Sequence, residues 1–197
     1  MNKYTIQNFS HLTNIGQISD TAMQMHFKLY EGYVNNINSI GEKLSTLEKN
    51  TPEWNELHRR YGWEWNGMRN HEIFFDLLKT EKNVQGMENS EEFKNIEVFK
   101  KIVESFGSFE NWKADFVAIC KMRGMGWAML VEDSKTGQLI NTWVNEHDAG
   151  MLSDVKIILL IDMFEHAYIK DFGTDRAPYI NSIFEHLDFE KVNNNLI

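Results

Sequence analysis

The feature that most restricts the architecture is the run Val155-Lys156-Ile157-Ile158-Leu159-Leu160-Ile161, followed directly by Asp162-Met163-Phe164-Glu165-His166. Short and rich in β-branched residues, the run reads as a strand buried on both faces. Asp162 stands at its end and His166 lies one turn into a following helix, so both side chains point the same way. A carboxylate and an imidazole so placed can share one cation. The same residues also read as a capping-box-like helix start, Asp162-x-x-Glu165, with His166 a packed ring. The rest of the chain has to decide between the two.

Ser19-Asp20 offers an N-cap to a long helix over residues 21–49. Its stripe of Met23, His26, Tyr30, Tyr33, Ile37, Ile40, Leu44 and Leu47 alternates three and four, the spacing of a face packed on a partner helix. His26 and both tyrosines fall on that buried face. Thr51-Pro52 opens a second helix, with Thr as cap and Pro at the first position. Its stripe is Trp54, Leu57, Tyr61, Met68, His71, Phe75 and Leu78. Two antiparallel helices put the start of one beside the end of the other, so His26 and His71 are expected to meet. A lone His on an apolar face is commonly a packed ring; two at one depth point to ligands.

The polar stretch 79–91, with Gly86 and Asn89-Ser90, divides the chain into a helical hairpin, 1–88, and a second domain, 89–197. The second domain opens with helices over about 91–105 and 109–122, the latter capped by Ser108. Segments 127–131 and 139–144 flank Ser134-Lys135-Thr136-Gly137, a hairpin signal. Together with 155–161 they predict a three-stranded sheet, and short helices over 179–187 and 189–193 close the chain. The fold class is therefore α+β: an N-terminal long α-hairpin plus a C-terminal α/β domain with a three-stranded antiparallel sheet.

Bulk properties narrow the function. The net charge of −9 argues against nucleic acid, whose phosphates demand a basic surface. It also means that an anionic substrate needs a local positive funnel. Cys120 is the only cysteine, which excludes an intramolecular disulfide and fits the cytoplasm. The start has no apolar leader-like segment and no stretch is long enough to span a bilayer, so no membrane partner is expected.

His26, His71, His166 and Asp162 thus converge as three nitrogens and one oxygen without a thiolate, a set that suits zinc, iron or manganese. Asp162-Met163-Phe164-Glu165-His166-Ala167-Tyr168 is similar to D-x-W-E-H-A-Y, and Asn70-His71-Glu72-Ile73-Phe74-Phe75 to N-H-x-x-F-[YF]. Phe106-Gly107-Ser108-Phe109 matches F-G-S-F, and the segment from Gly124 to Leu130 is like G-S-G-W-x-W-L. Tyr33-Val34-Asn35-Asn36-Ile37-Asn38 is like Y-V-x-N-L-N. These are signatures of the iron/manganese superoxide dismutase family, which the sequence resembles from end to end.

The resemblance implies one Fe or Mn per chain, between the two domains, with His26, His71, Asp162 and His166 as ligands and a solvent as fifth. It implies superoxide as substrate, dismutated to dioxygen and hydrogen peroxide by alternate reduction and oxidation of the metal. Tyr33 matches the tyrosine that hydrogen-bonds toward the metal's solvent. Glu165 matches the glutamate that reaches across a two-fold homodimer to the partner's ligand His, and Lys28 and Arg176 match basic residues of the substrate funnel. His147 falls where a family glutamine, or in some members a histidine, hydrogen-bonds the solvent. The other source of that glutamine, on the second helix, is here Gly67, which is expected to leave space.

The departures are local. An ungapped match on Tyr33-Val34 puts the first ligand on Met25; His26 needs a one-residue deletion, but it lies on the buried stripe, and a thioether suits hard Fe or Mn poorly. The family's gateway histidine is replaced by Leu29 or Tyr30, and its cross-dimer tyrosine partner by Ile169. Phe164 and Met129 stand where the family has tryptophans. The alternative reading is a metal-binding or interaction protein on this scaffold with lost or weak dismutation. A zinc hydrolase ranks third, because His71-Glu72 lacks the second His of H-E-x-x-H.

Overall fold

The computed structural model describes residues 3–196. Two long helices, α1 (Asp20–Thr46) and α2 (Pro52–Asp76), form the N-terminal hairpin. Ser19 caps α1, its Oγ accepting the Ala22 N–H, and Thr51 caps α2 by accepting from Trp54, with Pro52 at the first position. The stripe on α1 is buried at Met23, His26, Tyr30, Tyr33, Ile37 and Ile40. On α2 the buried face is concentrated at the far end, from Glu64 to Phe75, while Trp54 and Leu57 are only half-buried.

A connection stitched to the C-terminal end by Lys79 N–H on His186 O (2.9 Å) and Asn83 N–H on Glu185 O (2.7 Å) leads into the second half. The helix expected over 91–105 is two, α3 (Glu91–Asn95) and α4 (Glu97–Phe106). Ile96 between them is extended, and Asn193 accepts the Val98 N–H (2.9 Å), so a distant side chain caps α4 and fixes the break. Ser108 caps α5 (Phe109–Cys120) as expected. Strands β1 (Gly126–Asp133), β2 (Leu139–Asn145) and β3 (Val155–Asp162) form a three-stranded antiparallel sheet in the order β2-β1-β3. Helices α6 (Glu165–Phe172), α7 (Arg176–Glu185) and α8 (Phe189–Leu196) complete the chain. The architecture is α+β.

The sheet is the interior. Trp127–Val131 of β1 and Ile158–Ile161 of β3 are buried throughout, each large aliphatic contributing on the order of 1.5–3 kcal/mol. Register then positions the chemistry: in the β1–β3 pairing Trp127 stands opposite Asp162, and in β1–β2 it stands opposite Val144, just before the turn that carries His147. On the other side, the Ser19 N–H and Oγ–H both donate to the Asp171 carboxylate of α6 (2.7 and 2.9 Å), fastening the start of α1 beside the helix of His166.

Candidate metal centre

Four elements each deliver one side chain to a single point. His26 from α1, His71 from α2, Asp162 at the end of β3 and His166 in the first turn of α6 have ligand atoms all within 4.8 Å of one another. Three imidazole Nε2 atoms face one carboxylate oxygen, Asp162 Oδ2, at 3.1 Å (His26), 3.3 Å (His71) and 3.1 Å (His166). His26, not Met25, faces inward: His26 is 3% exposed and Met25 58%. Asp162 does not cap α6, whose N-cap is Phe164 without a side-chain bond. Its other oxygen, Oδ1, accepts the Phe164 N–H (2.8 Å), which aims Oδ2 at the histidines.

The donor set fits a transition-metal cation. The His71 Nδ1–H donates to Gly67 O, so its fully buried Nε2 carries a bare lone pair, and that atom makes no hydrogen bond. Burial pushes the His26 imidazole down to about 4, keeping it neutral. Burial alone would raise the Asp162 carboxyl, but the His166 charge and the hydrogen bonds of His166 and His26 hold it well below the ordinary carboxylate range. The cluster offers nitrogen lone pairs and one negative charge and can hold Fe or Mn.

Beside the cluster lies a buried hydrogen-bonded relay. Trp127 Nε1–H donates to His147 Nδ1 (3.0 Å). Indole is only a donor, so Nδ1 must be the bare nitrogen and the neutral ring carries its hydrogen on Nε2. That Nε2–H donates to the Tyr33 hydroxyl oxygen (2.8 Å). Burial lowers the His147 imidazole to about 3, and burial with the nearby Asp162 and Glu64 charges raises the Tyr33 phenol. Phe164 stacks on both His147 and His166, with ring centroids 4.8 and 5.2 Å apart.

Comparison with known proteins accords with this geometry. Residues 94–195 match the model of the iron/manganese superoxide dismutase C-terminal domain. Manganese superoxide dismutase 2 of Haloferax volcanii is 32% identical over 181 residues, covering 88% of this chain and 84% of its own. An iron superoxide dismutase of Aquifex aeolicus is 31% identical over 204 residues, covering 98% and 92%, and one of Cupriavidus metallidurans is 30% identical over 181 residues, covering 88% and 86%.

The chain belongs to the iron/manganese superoxide dismutase family.

Within that family frame, one expectation about the relay is overturned. Gly67 does not leave an empty space, because the Tyr33 ring fills it: a Cβ at Gly67 would lie 2.5 Å from Tyr33 Cδ1. The glycine lets Tyr33 lie flat against α2, stacked on His71 at 5.2 Å. At the family's altered gateway positions, Tyr30 donates to Glu72 Oε1 (2.9 Å) and Ile169 stands 49% exposed. Phe164 and Met129 are buried in their tryptophan positions. The two cations expected at the substrate funnel differ in freedom. Lys28 pairs with Glu31 (2.7 Å), whereas Arg176 donates to the Tyr168 hydroxyl (3.1 Å) and to the carbonyls of Met122 and Gly124, with no carboxylate against it among the described residues.

Glu165 is half-buried and makes no hydrogen bond or ion pair among the described residues. It lines a surface groove of about 720 Å³ with Tyr168, Ile169 and Arg176. The residues that sequence reasoning passed over are Trp127 and Trp63, both in contact with His147. Trp63, Gly67 and His71 recur every four residues on α2, a stripe continuous with a ligand, and that spacing was the available signal.

Proposed function

We propose that the chain dismutates superoxide, converting two superoxide anions to dioxygen and hydrogen peroxide at one Fe or Mn held by His26, His71, Asp162 and His166. The observation that carries this reading is the convergence of three imidazole nitrogens on Asp162 Oδ2 in a chain of this family. Bound there, the ion supplies the one-electron couple.

The residues around it handle position and protons. Asp162 contributes the negative charge, its direction set by the Phe164 N–H; His71 is oriented by Gly67 O. Because the His147 Nε2–H occupies the Tyr33 oxygen, the phenolic hydrogen of Tyr33 is free to donate elsewhere. Tyr33, kept as a phenol by burial and the neighbouring carboxylates, holds a proton for an anion at the site. His147 orients Tyr33, and the Phe164 and Trp127 rings keep water from the relay.

Glu165 is proposed to act across a homodimer, on the partner's ligand His. Supporting this, His166 is the ligand with a partly exposed side chain (23%), and Glu165, unpaired among the described residues, sits beside it on the grooved face. The chain divides functionally into 1–88 and 89–197, each contributing two ligands. A cytoplasmic location accords with Cys120, the only cysteine, kept as a buried thiol.

The test is to load the protein separately with Fe and Mn, measure metal per chain, and assay dismutation for each. About one ion per chain with dismutation by at least one form is expected. A fully loaded protein inactive with both metals would leave only a metal-binding protein on this scaffold.

A further inference from the structure

His147 sits in a turn whose conformation is costly on its own. Glu146 adopts a left-handed backbone (φ 49°), a strained conformation for a residue with a Cβ. The turn closes on itself through Asn145 and Ala149, whose N–H groups donate to each other's carbonyls at 2.8 and 3.1 Å, and the Glu146 N–H donates to Met125 O (2.9 Å). Two further bonds come from α2. The Asn66 side-chain amide donates to His147 O (2.9 Å), and Trp63 Nε1–H donates to Glu146 Oε2 (2.9 Å).

The Trp63 ring also reaches the relay itself. Its centroid lies 4.6 Å from the His147 ring, nearly edge-on, and 5.6 Å from Tyr33. Its own orientation is held by the Arg60 guanidinium, 3.8 Å above the ring. Arg60 in turn donates to buried Glu64 (2.8 Å), which also takes an Asn36 amide hydrogen from α1 (3.3 Å). One helical face therefore presents an indole N–H and an amide N–H, three residues apart, to the two residues that set where the imidazole stands.

We propose that Trp63 and Asn66 are positioning residues that hold the His147 turn against α2, so that the imidazole Nε2–H meets the Tyr33 hydroxyl. This deepens the reading of the site as a dismutase centre and rests on it. Neither residue touches the liganding cluster; both act through His147. A hydrogen bond of this kind adjusts how strongly Tyr33 can donate, and so the potential of an ion held beside it.

Trp63→Phe keeps an aromatic ring but removes the N–H together with the second ring of the indole; Asn66→Ala removes only the amide, and so isolates the loss of one hydrogen bond. Both are made in the parent and in a His147→Ala background, and metal content, thermal midpoint, reduction midpoint and dismutation rate are recorded on Fe- and Mn-loaded protein. In the parent each variant is expected to keep its metal, shift the reduction midpoint and lower the rate about three- to tenfold, the effect of one hydrogen bond. With His147 already gone, neither should shift the midpoint further. An equal shift in both backgrounds, or an unchanged midpoint in both parent variants at full metal content, would overturn the proposal. Asn66→Ala keeps the test open if Trp63→Phe folds poorly. The reduction midpoint is read whether or not the parent dismutates, so loss of this inference and loss of the functional reading remain distinguishable.

Discussion

The metal cluster has a closed side and an open side, and they are built differently. Toward His147 the groups of the relay are buried and paired: Trp127 to His147, His147 to Tyr33, with Phe164 stacked over the imidazole. Toward α6 the ligand His166 is partly exposed, Glu165 has no partner among the described residues, and Ile169 projects from a groove. An unpaired carboxylate at a buried site is expensive, whereas one at a surface can wait in water for a partner. The closed side is thus complete within one chain, and the open side is what the proposed homodimer would finish.

The largest test of this contrast addresses the cluster that both sides share. His26→Ala should weaken metal binding at least about a hundredfold, while Met25→Ala leaves elemental content near parent. The reverse result would move the helix-1 ligand by one residue. On the open side, Glu165→Ala should weaken the dimer and reduce metal affinity about tenfold to a hundredfold. Sedimentation of the parent as a fully active monomer at micromolar concentration would remove the cross-dimer role and leave the open side simply open.

On the closed side, His147→Ala should keep its metal and lose about tenfold in rate, the worth of one hydrogen bond to a charged group. His147→Gln should retain activity and change which metal works better; an Ala variant as fast as the parent with either metal would reduce His147 to a turn residue. Gly67→Ala drives a Cβ into the Tyr33 ring and should cost about 1–3 kcal/mol of stability, seen as a lower thermal midpoint. A midpoint at the parent value would mean that Tyr33 moves aside without penalty. The smallest effect belongs to the surface. Lys28→Gln, which removes an 80% exposed charge already paired with Glu31, should lower the rate about twofold or less at low salt and not at all near physiological ionic strength. No change at low salt would end its role in steering.

Much of this was legible before any coordinates. The three-four stripe on α1 put His26 on the buried face ahead of Met25, the Ser19, Thr51 and Ser108 caps were evident, and the hairpin turn was signalled by Ser134 to Gly137. The misses share a cause. The α3–α4 break at Ile96 depends on Asn193 from the far end of the chain, which no local propensity encodes. The open space expected at Gly67 was reasoned from the glycine alone, without the ring that α1 lays on it.

The amino-acid sequence sufficed for the two long helices, the sheet segments and the identity of the residues that meet at the cluster, because period, caps and turn chemistry act over a few residues. Only the folded chain decided how those residues face one another. The His147 tautomer follows from an indole twenty residues upstream, brought beside it across the β1–β2 pairing, and the direction of Asp162 Oδ2 from a backbone N–H two residues on. The seat of Tyr33 against Gly67 comes from the packing of two helices. Hydrogen bonds and ring contacts are directional and short-ranged, so their pairing is set by tertiary packing, and no pattern along the chain contains it.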